Sequence, residues 1–486
     1  MRAAHALRRR SRSAKDFGII GQASWLSSVI NLVNTIIGAG VLAMPSVLSH
    51  MGIVPGTLVI IWAGLTSGFG LYLQTRCARY LDRGSASFFA LSQITYPNAA
   101  VIFDTAIAIK CFGVGVSYLI IIGDLMPGVV KGIYENAGQL EFLVDRHFWV
   151  TAFMLVVIPL SFLRRLDSLK YTSVVALTSI GYLVILVVAH FFKGDTMANR
   201  GDIRVVRWGG AIPALSSLPV VVFAYTCHQN MFSVLNEINN NSHYRTTTVI
   251  FTSIGSAGMV YILVGITGYL SFGNSVSGNI IGMYIPSIVS TIGKAAIVVL
   301  VMFSYPLQIH PCRASVDAVL KWRPLKRSSS TRSPNRSPSR TMPLLNSGKS
   351  IGNGRDDSMG ETRFAAITTI IIVSSYLVAM SVTSLERSLA YVGSTGSTSI
   401  SFILPGLFYY KISAPDSPLH QSIKDDDDET GDSESGYDEG LLGGGGTRTS
   451  RLKKDLIRTL SLALAIYGLI VMVVCFITNT FFIVAH

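Results

Sequence analysis

Long apolar runs, each ended by charged residues or by Gly and Pro clusters, recur along the chain at lengths that suit bilayer-crossing helices, which need about 20 apolar residues. The pattern predicts about eleven spans, at 25–48, 53–75, 99–130, 148–163, 172–192, 212–235, 246–272, 288–309, 363–385, 389–410 and 457–484. The expected fold class is therefore all-α and integral to a membrane. Composition agrees: of 486 residues half are apolar, only 14% are charged, and the mean hydropathy is +0.48. An ordinary soluble protein is excluded.

Two stretches break the pattern. Residues 313–362 contain SSSTRSPNRSPSRT and are basic, whereas 413–454 contain DDDDETGDSESGYDEG and a glycine run. Neither can bury enough apolar surface to fold, so both are expected to be disordered. The organisation that follows is a basic tail (1–24), spans 1–8 (25–312), a Ser/Pro-rich loop (313–362), spans 9–10 (363–412), an acidic and Gly-rich loop (413–454), and span 11 with a short tail (455–486). Ser333-Pro334 and Ser337-Pro338 are candidate phosphorylation sites whose modification would offset local positive charge.

The net charge of +13 would suggest a nucleic-acid partner if the bases formed a stripe on a folded domain, but they lie between the apolar runs. Such placement sets membrane orientation. With the N-terminus in the cytoplasm, about 31 of the 40 Lys and Arg residues fall on the inner side and about 7 on the outer. Arg76, Arg79 and Arg83, then Arg164, Arg165 and Lys170, contribute the clearest short-loop bias. Both glycosylation sequons, at Asn240 and Asn335, then face the cytoplasm. The N-terminal segment lacks a small-residue cleavage site and is expected to be retained. None of the five cysteines is placed for an outer-face disulfide.

Span 1 reads NLVNTIIGAGVLAMPSVL (Asn31–Leu48), with Gly38-Ala39-Gly40 at mid-depth and Pro45 beyond. Span 6 runs through Pro213 and Pro219 into FAYTCHQN (Phe223–Asn230), placing Tyr225, Thr226 and His228 deep in apolar sequence. Unwound backbone is tolerated at membrane depth only where it meets protein or a cavity. Small residues can alternatively serve close helix packing. Spans 1 and 6 are corresponding members of two five-span halves of opposite orientation, which favours broken helices flanking a midplane site. The positive end of the half-helix after Gly40 suits a carboxylate, and exposed carbonyls suit a cation. His228 is either an interhelical hydrogen-bonding group or a proton carrier.

Other polar groups are read as structural: Lys110 with Asp104 as a possible partner, Asp124 facing water, and Lys294 opening span 8. Ser304 can bond its own helix or ligate a cation. IIGAGVLA fits a dinucleotide fingerprint but lacks the surrounding strand and crossover unit. SGKS at Ser347–Ser350 has Pro343 where a phosphate loop needs Gly, and HExxH and GxSxG are absent from the sequence. An enzyme is not expected, nor any cofactor beyond a co-transported H+ or Na+.

The motifs above, together with FGVGVSYLIIIGD (Phe112–Asp124), LRRLDSLKYTSVVAL (Leu163–Leu177) and Lys294 through Pro306, resemble the amino acid/auxin permease family. Within it they are most similar to the sodium-coupled neutral amino acid transporters and the fungal vacuolar amino acid transporters. The likeness runs from about Asn31 to Leu307. It implies the eleven-helix form of the five-plus-five inverted-repeat fold and amino acids as substrates; helices 1 and 6 offer only His228 as a partner for a charged side chain, which favours neutral ones. Carried over by position, the Ile37–Gly40 backbone (Ile37, Gly38, Ala39, Gly40) would hold the substrate carboxylate, and the break around Tyr225, Thr226 and His228 would meet its amine and side chain. Asn34, Thr35 and Phe223 are expected among the substrate-binding residues as well. Asn31 and Ser304 match a sodium site, with Ser where that branch has Thr. The missing outer-face cysteines and sequons, and the long cytoplasmic inserts, point to a vacuolar rather than a plasma membrane. Two functions stay open at this point: a secondary transporter working by alternating access, and a sensor of the same fold signalling through its cytoplasmic loops.

Overall fold

The structure is a computed structural model that describes residues 21–81, 84–163, 172–197, 200–239, 241–321, 360–414 and 446–482. The tail before residue 21, Arg164, Arg165, Lys170, both sequon asparagines, the phosphorylation candidates, the acidic run and the last four residues lie outside these. Among the described residues the fold is all-helical, apart from one parallel bridge between Ala23 and Ile238.

The helices in order are α1a (Trp25–Ile36), α1b (Gly40–Met51), α2 (Ile53–Ala78), α3 (Ala100–Ile133), α4 (Arg146–Ser161), α5 (Thr172–Lys193), α6a (Ala211–Ala224), α6b (His228–Glu237), α7 (His243–Phe272), α8 (Ile288–Lys321) and α9 (Glu361–Ser381). Then follow α10, which runs from Leu385 to Ile412 through two π-helical segments, and α11 (Gly446–Ile477). Among the described residues eight helices are long and apolar enough to cross a membrane, or nine with the bent pair α1a and α1b. The other two expected spans coincide with α4, apolar but only 16 residues, and with α10.

Several boundaries move. Helix α8 continues to Lys321, so residues 313–321, expected in the loop, are helical instead. The reason is packing: Arg313 is buried, donates to Ser161 O and Thr368 Oγ1, and stacks 4.0 Å from the Phe364 ring. Helix α11 likewise begins at Gly446 within the expected acidic and Gly-rich loop. Asp124, expected to face water, pairs with Arg146 at 3.4 Å; Arg146 also donates to the Ala379 and Val382 carbonyls and so ties α3, α4 and the end of α9. Asp145 caps α4 through the His147 and Phe148 N–H groups, and the His147 bond foremost holds its carboxyl below the usual range.

Lys294 lies in the second turn of α8, buried, with Nζ donating to Tyr284 O at 2.8 Å. Lys110 is buried on α3 and forms no ion pair with Asp104. Six residues at about 100° each put the two on different sides of the helix, so the pairing considered from sequence is geometrically unfavourable. All five cysteines are buried and free.

Candidate functional site

Helices 1 and 6 are each interrupted at mid-length. Helix 1 bends by 55° between Ile36 and Gly40. Helix 6 stops at Ala224 and restarts at His228. At the break the Val41 and Leu42 N–H groups reach back only three residues, to the Gly38 and Ala39 carbonyls at 3.3 Å each, and the last carbonyls of α1a and α6a lose their regular donors, Ile36 O accepting instead from the Gly38 N–H at 2.9 Å. The chain supplies partners from neighbouring helices. Tyr261 of α7, fully buried, directs its hydroxyl to two of these carbonyls, Ile36 O at 2.6 Å and Ala224 O at 2.7 Å. Ser67 of α2 donates to Tyr225 O, and Gln74 Nε2 donates to His228 O at 2.8 Å. Three side chains from two helices thus hold the breaks open, which a chance kink would not require.

A cavity of about 50 Å³ sits at the break in helix 1, lined by Asn34, Ile37, Gly38, Ala39, Val41 and Leu42, by Tyr118 of α3, by Ala176 and Ile180 of α5, and by Ile297, Leu300, Val301 and Ser304 of α8. It is the size for an ion or a water or two, smaller than a small-molecule pocket. A larger cavity, about 530 Å³, lies between the start of α3 and the end of α8, among Gln93, Asp104, Ser315 and Asp317, and none of the residues at either break lines it. Charge does not line the smaller one.

The expected site residues divide accordingly. Asn34, Ile37, Gly38, Ala39 and Ser304 line the cavity. A Cβ built on Gly38 meets nothing within 4 Å, whereas one on Gly40 would lie 2.6 Å from Ala224 Cβ. Gly40 therefore serves the close approach of α1b to α6a, the packing alternative weighed above, and Gly38 faces the open space. Thr35 turns to α6b, where Asn230 Nδ2 donates to its hydroxyl at 2.8 Å. Tyr225 packs edge-on against Tyr261, and Thr226 bonds Val222 O and Ser401 of α10. Phe223 is buried and does not line the cavity. His228 is fully buried, lies against Gly70 of α2, and its two ring nitrogens have no hydrogen-bond partner among the described residues. Of the sodium candidates, Ser304 lines the cavity while donating to Leu300 O, but Asn31 is exposed and does not.

Sequence reasoning passed over Tyr261, Tyr118 and Asn230. Tyr261 sits in the run GMVYILVG, where an aromatic residue looks like any other core position.

Residues 21–424 match the model of a family described as transmembrane amino acid transporter protein. The chain belongs to this transmembrane amino acid transporter family. It is 41% identical over 465 residues to vacuolar amino acid transporter 5 of Schizosaccharomyces pombe, covering 95% of each chain. It is 42% identical over 408 residues to vacuolar amino acid transporter 6 of Saccharomyces cerevisiae, covering 80% of this chain and 90% of that one. Among solved structures, MhsT in complex with L-phenylalanine superposes with a TM-score of 0.51 at 11% identity, over 94% of this chain and 100% of that chain. That likeness shows that the two chains share a fold. Members of the transmembrane amino acid transporter family carry substrates rather than transform them, so the chain is not an enzyme.

Proposed function

We propose that the chain moves neutral amino acids across a vacuolar membrane by alternating access, driven by a proton or sodium gradient. The end of the molecule where α1a begins is cytoplasmic, and the end where α1b finishes is lumenal. The observation that carries the reading is the cavity at the helix 1 break, bounded by peptide groups and by Asn34 and Ser304, with no charged side chain in its lining. Peptide N–H groups at the start of α1b recognise a carboxylate through hydrogen bonds and the helix dipole, whatever the amino acid. A charged substrate side chain would need a charged partner that this lining lacks. Vacuolar relatives support the membrane and the substrate class.

No covalent step is involved. Ligand and ion act by favouring one of two arrangements of the helices, and each shifts the balance only by its differential affinity for the two. At 50 Å³ the cavity does not hold a whole amino acid, so α5 and α8, which form its outer wall, separate from α1 to admit one. His228, buried and unpaired, is the group placed to take up a coupling proton.

The test is uptake of labelled neutral amino acids into proteoliposomes under an imposed proton gradient, an imposed sodium gradient, or neither. Stimulation by one gradient is expected and names the ion. Specific binding without uptake under any condition overturns transport in favour of a sensor.

A further inference from the structure

At the far end of α1b four side chains from three helices converge. Ser46 Oγ donates to Glu386 Oε2 of α10 at 2.9 Å. His50 Nδ1 lies 3.2 Å from Glu386 Oε1 and 2.7 Å from Ser217 Oγ of α6a. Elsewhere α1b and α6a meet through small residues, as Gly40 meets Ala224. Here a polar cluster fastens both to α10, a helix that has its own contacts with α3 through Ser388 and Ser117 at 2.9 Å. On this face α1b is thus tied to α10 through one carboxylate, and α6a joins the same cluster through Ser217.

Other groups face the cluster. On the loop before α6a, Arg204 donates to Ser49 O at 3.2 Å, and its guanidinium lies beside His50 O, which also accepts from the Gly209 N–H. Its charge is held on the carbonyls at the end of α1b, the negative pole of that half-helix. Gly278 of the segment before α8 packs on Glu386 and brings no charge. Arg387, next along α10, is exposed. The His50 side chain is 35% exposed and that of Glu386 22%, so solvent protons reach both.

The geometry points to a proton-binding latch: His50, with Glu386, Ser46 and Ser217, takes up a proton from the lumen and thereby locks α1b and α6a to α10, closing the lumenal side of the site. Neutral imidazole donates from Nδ1 toward Glu386 only in its Nδ1–H tautomer and otherwise accepts there from Ser217; imidazolium always carries that proton, with a full opposite charge, the stronger interaction. Protonation of His50 from an acidic lumen therefore tightens the latch, and loss of that proton loosens it. Protonation of the carboxylate itself would remove the attraction. The proton is bound on the lumenal side only, so it regulates closure and is separate from any ion carried with substrate. This inference rests on the orientation proposed above.

Leu389, fully buried, lies one turn below Glu386 and is screened while the latch holds. A Leu389→Cys variant in lipid nanodiscs, where sidedness plays no part, is treated with a bulky maleimide at pH 7.5 and 5.5. The same cysteine is carried on Glu386→Gln, and the chain without it gives the background from native thiols. Comparing the two at each pH cancels the reagent's own pH dependence. The expected result is that labelling of the latched chain relative to Glu386→Gln falls several-fold between pH 7.5 and 5.5, and that exchanging the pair, His50→Glu with Glu386→His, restores the fall. A ratio that stays constant with pH overturns the latch. The readout needs no substrate, so loss of the latch is distinguishable from loss of the transport reading, which amino acid counterflow by the unmodified chain tests separately.

Discussion

Two glycines two residues apart do different work, and the difference is measurable. The sequence marks Gly38-Ala39-Gly40 as one small-residue break. The structure gives Gly38 open space beside the cavity and sets Gly40 against Ala224. Gly40→Val forces α1b away from α6a, an overpacking expected to cost about 1–3 kcal/mol. Its thermal unfolding in detergent should therefore fall by several degrees together with uptake. Gly38→Val adds its methyl groups to empty space, so the unfolding midpoint should hold while uptake is lost; normal uptake by Gly38→Val would remove this cavity from the substrate path. Tyr261 offers a sharper probe still. Tyr261→Phe keeps the ring against Tyr225 but leaves Ile36 O and Ala224 O without their shared donor, a loss of about 1–2 kcal/mol for buried carbonyls. Uptake should drop, and Tyr261→Leu, which also removes the ring, should destabilise further.

Among whole elements, what the sequence showed was the apolar length of each span, because crossing hydrocarbon imposes that length directly. The breaks in helices 1 and 6 were legible for the same reason: glycines and buried polar groups are costly there unless something uses them. What could not be read was the partner of each break. Ser67, Gln74 and Tyr261 look ordinary in α2 and α7, and only the tertiary arrangement brings them to the carbonyls. The half-helices are also joined in pairs. At the end where α1a begins, α1a and α6b are joined by the Asn230–Thr35 bond and by the Ala23–Ile238 bridge, with Ala23 N donating to Glu237 O at 2.9 Å. Asn230→Ala should uncouple the two without touching the cavity lining. The expected outcome is a lowered maximal rate with little change in half-saturating substrate, read from initial rates of uptake; a change in half-saturation alone would place Asn230 at the substrate instead.

The molecule as a whole keeps its helix ends together independently of its longest connection. Asp317 near the end of α8 pairs with Lys321 at 2.9 Å and with Arg363, at the start of α9, at 2.6 Å. Arg363 also donates to Asp317 O, and Arg313 joins α8 to α4 and α9. The two ends of the segment 322–359 are therefore already held side by side by charge and packing. Closing a loop costs only about 0.6 kcal/mol for each doubling of its length, so replacing residues 326–356 with a short Gly/Ser linker should alter stability little. The transport reading expects uptake by the shortened chain to persist, since every group at the cavity and at both breaks lies elsewhere. Uptake lost in a chain that still unfolds at the same temperature would show that the segment acts on the helices, and would give the Ser-Pro pairs it contains a regulatory role that charge patterning alone does not establish.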